Sequence, residues 1–214
     1  MEERIFRIIE DYAPLDGLTI STKDPVSKEA SITHFSLGRG TDISPETYPD
    51  TQLYIINGGS GTFLVGSKKI SVKDGEMLVV EGGTLCGVTT ENGLVYTEVI
   101  PGKDMKMNNI IKAGEVFSIA DKVPYKAGSI VNLDVASNET MKYVIMAFDE
   151  GTGLTPHSAP GDAIVFALEG KAIIGYEGKD YPIEAGQQFR FDKGGVHSVT
   201  ADGKFKMALL LVLK

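Results

Sequence analysis

Two histidines forty residues apart, His157 in "GLTPHSAPGDA" and His197 in "GGVHSVT", are the side chains of this sequence best suited to chemistry. An imidazole titrates near neutrality and binds divalent cations through its neutral nitrogen, so a pair could exchange protons or hold a metal. The positions beside His157 where a ligand cluster would need further donors are Ala159 and Ala163. Catalytic zinc takes three protein ligands, and octahedral metals need more. Asp162 adjoins one of these alanines, but neighbours along a strand point to opposite faces, which turns it away. Three readings of the pair stay open. It holds a divalent metal (Zn, Ni, Mn or Fe) weakly, with substrate atoms completing the shell; it is satisfied by hydrogen bonds; or it works as a metal-free acid–base pair.

Other side chains carry donors. Glu46, Gln52 and Cys86 are among them, and the thiol is either a reactive or metal-binding group or a small buried hydrophobe. Arg190 stands between Phe189 and Phe191. On a strand it faces opposite to both rings, either meeting an anionic ligand inside or standing in solvent outside. Tyr54 and Tyr176 offer phenols to a ligand or to packing. His34 belongs to neither group and reads as structural. No GxxxxGK[ST], GxSxG, CxxC or HExxH pattern occurs, and "GRGTD" and "GSGTFLVG" read as turns between strands.

Composition narrows the partners. A net charge of -8 over 214 residues disfavours nucleic acid and anionic membrane surfaces. The single cysteine excludes an internal disulfide and fits a reducing compartment. The opening "MEERIFRIIEDY" lacks the basic and apolar regions of a secretion signal, and the apolar run Met207 to Leu213 is too short to span a bilayer. The expectation is a cytoplasmic protein with a small-molecule ligand, open to forming a homodimer, and with no nucleic-acid or membrane partner.

The elements that must position these residues come from a repeat. A shift of 111 residues lays Gly17 on Gly128, Gly40 on Gly151, Gly59 on Gly170, Gly75 on Gly186 and Gly83 on Gly194, without a gap. Pro49 falls on Pro160, and Val88-Thr89 on Val199-Thr200. Glycines in one register imply the same turns made twice. Between them lie short β-branched and aromatic segments such as "SIVNLDV", "MKYVIMAF" and "DAIVFALEG", which read as strands. "YEGKDY" reads as a hairpin turn, with "VGSKKI" as its counterpart. Ile5, Phe6, Ile8 and Ile9 fit one face of a short helix, while the matching "VFSI" at 116–119 fits a strand equally well.

With these spacings in place, the second copy resembles the cupin superfamily. Gly151, His157, Ala159, Ala163 and Gly170 occupy the positions of the first cupin motif, where the family has glycine, two histidines, glutamate and glycine. Gly186, Asp192, Gly194 and His197 fall on the second motif, with Asp192 in place of its proline. The resemblance implies an all-β fold of two tandem cupin-type β-barrels (double-stranded β-helix, or jelly roll). An N-terminal barrel would span 1–104 and a C-terminal barrel 105–214. It also implies that His157 and His197 point into one lumen, where the family binds a metal. In the first copy Glu46, Tyr48, Gln52 and Cys86 stand at the ligand positions, so that barrel reads as degenerate and mainly structural. Three functions follow from these residues. They are a module binding a small polar molecule around His157 and His197, a metal-dependent enzyme of the dioxygenase, isomerase or lyase kind, and a structural protein with filled barrels.

Overall fold

The computed structural model describes residues 4–26 and 30–213; the first three residues of the opening segment lie outside that range. Strands account for nearly all the regular structure, with a single turn of α-helix at Ile8–Asp11 and a 3₁₀ turn at Ala120–Lys122. None of these helices is long and apolar enough to cross a membrane. The chain divides into two compact units, each an antiparallel cupin-type barrel.

The unit beginning at Ile8 and ending at Ser118 is built on the 14-residue strand Gln52–Val65. Its first part pairs with Glu76–Val80 on one side and Leu94–Ile100 on the other. Ser31–Leu37 and Thr19–Lys23 continue the sheet beyond Leu94–Ile100. After a register shift between Ile56 and Gly58, the second part leaves that sheet and pairs with Lys68–Lys73 and Leu85–Thr89. Asp42–Thr47 extends the second sheet. One strand serving two sheets closes the barrel. The crossing is tight: a Cβ on Gly59 would lie 2.2 Å from the Gly93 carbonyl oxygen, and its φ is 75°, so only glycine passes there.

In the other unit Asp162–Tyr176 plays the same part. It pairs first with Gln188–Phe191 and then with Lys179–Glu184, and along most of its length with Val196–Val212. That last strand is continuous over 17 residues, whereas the first unit divides the same stretch into Leu85–Thr89 and Leu94–Ile100. All ten glycines paired by the repeat have positive φ, from 62° at Gly128 to 84° at Gly186 and Gly194. The repeated sequence therefore makes repeated turns.

At the ends of the copies the compact units do not follow a division at 104/105. Ile5–Phe6 forms a strand, not the start of a helix, and pairs with Gln188–Phe191, so it belongs with the unit that resumes at Ile119. Its repeat counterpart Val116–Ser118 pairs with Glu76–Val80 of the first unit. One edge of each sheet is thus extended by the strand that leads the other copy, which pairs backbone groups that edge would otherwise expose.

Alternation along the strands sets the cores. In the first barrel Leu37, Tyr54, Ile56, Phe63, Leu78, Val88 and Tyr96 form the inner cluster. In the second it is Phe148, Val165, Ile174, Tyr176, Phe189, Phe191, Phe205 and Met207, with Ala159 and Ala163 among them.

Candidate functional site

The second barrel brings its two histidines together. His157, on Gly153–Ser158, is the cross-strand partner of His197 on Val196–Val212. Their ring centroids are 4.2 Å apart. His157 is exposed at the mouth, while His197 is buried with the Phe191 ring 4.0 Å from its own. Each Nδ1 bonds a backbone carbonyl two residues back, His157 to Thr155 at 2.8 Å and His197 to Gly195 at 3.2 Å. A carbonyl oxygen only accepts, so both Nδ1 atoms carry the hydrogen, and in the neutral rings both Nε2 atoms are acceptors. Burial pushes the His197 pKa down, and the neighbouring His157 adds to this, against the Gly195 carbonyl.

The two imidazoles offer two nitrogens, fewer than the three protein ligands of a catalytic zinc site. Where the family's remaining ligands would stand, Ala159 and Ala163 are 4% and 1% exposed and packed into the apolar cluster. Among the described residues no group of three or more His, Cys, Asp and Glu side chains could hold an ion. Asp162 turns away, its Oδ1 accepting from the Lys193 backbone at 2.8 Å. The lumen behind the histidines is filled by Phe148, Phe189, Phe191 and Phe205.

Beside the pair lies an open cleft of about 1010 Å³, lined in part by Arg4, Tyr176, Tyr181, Asp192 and Gly195. Neither imidazole lines it, but Tyr176 is the cross-strand partner of His197. The Tyr176 hydroxyl donates to Asp192 at 3.1 Å, and Arg4 bonds the same carboxylate at 2.6 Å while its guanidinium sits 4.7 Å from the Tyr176 ring centre. Arg4 holds the Asp192 pKa below the usual carboxylate range. Arg4 was not legible as a site residue, because it reaches the second barrel through the exchanged strand. Arg190 is not a lumen residue. Phe189 and Phe191 take the inner face, and the Arg190 guanidinium lies 4.5 Å from the Phe6 ring centre on the outer one.

The first barrel is the more polar inside. Glu46 and Cys86 are cross-strand partners, repeating the geometry of the histidine pair. Glu46 is exposed and accepts from the Tyr48 hydroxyl at 2.7 Å, which, with burial, pushes the Tyr48 pKa up to about 12. Gln52 is buried and donates to Glu98 at 3.2 Å. A cavity of about 40 Å³ lies among Glu46, Tyr48, Tyr54, Cys86, Tyr96 and Glu98, with Phe35 and Phe63 completing the wall. Burial pushes up the Glu98 carboxyl, opposed by hydrogen bonding from Tyr54 and Gln52. It also pushes up the Cys86 thiol and the phenols of Tyr54 and Tyr96. Glu98 and Tyr96 escaped sequence reading because they lie outside the motif positions. The alternation of "LVYTEVI" was the available signal, since it sets Leu94, Tyr96 and Glu98 on one face.

His34 lines neither the cleft of the second barrel nor the cavity of the first. It is fully buried, with Nε2 2.6 Å from Asp24 Oδ2 and Nδ1 2.9 Å from Thr97 Oγ1.

Comparison with known proteins agrees with this geometry. Residues 144–213 match the model of the cupin domain. The cupin 2 conserved barrel domain protein from Leptotrichia buccalis superposes with a TM-score of 0.85 at 23% identity, covering 97% of this chain and 95% of that one. Salicylate 1,2-dioxygenase from Pseudoaminobacter salicylatoxidans, in its adduct with gentisate, gives a TM-score of 0.67 at 11% identity, covering 97% and 80%. No curated protein is similar enough in sequence to match. The chain therefore has a two-barrel cupin fold, and residues 144–213 carry the sequence signature of the cupin domain.

Proposed function

We propose that this bicupin binds a small polar molecule, and that its second barrel presents the imidazoles of His157 and His197 to that ligand without a resident metal. The carrying observation is the convergence of the two rings at 4.2 Å with both Nδ1 atoms tied to backbone carbonyls. The two Nε2 lone pairs then accept from a ligand that brings hydroxyl or N–H donors. Tyr176, Arg4 and Asp192 supply further polar contacts along the adjoining cleft. A divalent cation would find two protein nitrogens and would be held weakly.

The dioxygenase with its gentisate adduct makes an aromatic hydroxy acid a sensible probe. The donor set and the filled lumen argue against an enzyme of that type here. The test is ¹⁵N-histidine NMR during titration with gentisate, glycerol and zinc chloride in turn. The proposal expects a saturable shift of both Nε2 signals with a hydroxylated probe, lost in His157→Ala, and less than about 0.1 equivalent of zinc retained after gel filtration. Near-stoichiometric metal in the purified protein, or turnover of gentisate that His157→Ala abolishes, would replace this reading with a metal-dependent enzyme.

A further inference from the structure

The first barrel has a built interior of its own. Its cavity wall contains five aromatic rings (Phe35, Tyr48, Tyr54, Phe63 and Tyr96), the carboxyl groups of Glu46 and Glu98, and no lysine, arginine or histidine. Four of the rings form one cluster: Tyr54 lies 4.8 Å from Phe63 and 5.6 Å from Tyr96, and Phe35 stacks on Tyr96 at 4.9 Å. Tyr96 is 2% exposed and lines this cavity.

We infer that the first barrel is a second binding site, independent of the histidine pair, which takes the ammonium head of a small organic amine against Glu98 within the aromatic lining. A cation is favoured by ring faces and by carboxylates, and an anion is repelled by both. The volume of about 40 Å³ admits a head of a few heavy atoms. The tail of a longer amine would leave by the mouth, where Glu46 and Tyr48 are exposed. Ionised Glu98 is the form that pairs with the amine. Burial holds its proton, and the groups facing it (Gln52, Tyr54, Cys86, Tyr96, Tyr48 and Glu46) include no cation, so binding releases a proton and tightens as pH rises.

The experiment titrates methylammonium chloride into the full chain labelled on tyrosine rings, with sodium chloride and sodium acetate at equal ionic strength as controls. Expected are saturable shifts of Tyr54 and Tyr96 with methylammonium alone, while Tyr176 in the second barrel stays unmoved. Glu98→Gln, folded by its spectrum, should weaken binding at least about tenfold. Should that variant fail to fold, Glu46→Gln and Tyr48→Ala at the exposed mouth should each weaken it about two- to threefold. An absence of saturation, an equal response to sodium or acetate, or undiminished affinity in these variants would overturn the inference.

Discussion

Where the first barrel carries Glu98, the second carries Leu209; where the first has Tyr54 and Tyr96, the second has Val165 and Met207. The strands and turns around these positions coincide, yet one lumen is polar with a small cavity and the other is packed with phenylalanine. Only the mouths are alike, each with a cross-strand pair, Glu46 with Cys86 and His157 with His197. Positive-φ turns and strand alternation thus fix a barrel's path, while the identity of its inward side chains is left free to set its chemistry.

The comparison can be broken most forcefully in the packed barrel. Phe191→Ala should cost about 3–5 kcal/mol in urea unfolding, since it leaves a cavity beside Phe189, Tyr176 and His197. A loss under about 1 kcal/mol would mean that this lumen is loose. Next in size is Ala163→Glu, which buries a carboxyl in the apolar cluster and should destabilise by about 1–3 kcal/mol. Adding Ala159→His should make that loss recoverable with zinc, measured as a rise in melting temperature with metal, because four donors then converge.

The sequence made some of this legible. The glycine register revealed two barrels because turns that need positive φ leave a residue-type signature. The motif spacing brought His157 to His197 because it encodes strand lengths and turn geometry. The polar lumen was not legible. Glu98 matters only because Gln52, Tyr54 and Cys86 reach it from other strands, and no local pattern records such a meeting. The exchanged strand was equally hidden, since Ile5-Phe6 shows its apolar character but not which barrel it joins. Arg190 showed alternation but not which face was inside.

Smaller effects sharpen the contrast through pH. The native Glu98 carboxyl keeps its proton above the ordinary value of 4.5, so the folded state binds more protons in that window. Stability should therefore fall as pH climbs through it, and Glu98→Gln should flatten that slope in urea midpoints. His197 has the opposite sign. Its native pKa lies below 6.5, so stability is fully present above 6.5 and declines as pH drops below it, a dependence that His197→Phe should remove. Least in energy is the Cys86 thiol, buried and pushed up in pKa, which should alkylate with iodoacetamide at neutral pH at least about tenfold more slowly than in urea.

The most direct test of the contrast is a high-resolution crystal structure read for ordered solvent inside each barrel. The account predicts a water or cation bonded to the Tyr96 hydroxyl and the Glu98 carboxyl, and a dry interior among Phe148, Phe189, Phe191 and Phe205. Solvent or ligand among those phenylalanines, with side chains closing the space between Tyr96 and Glu98, would contradict it.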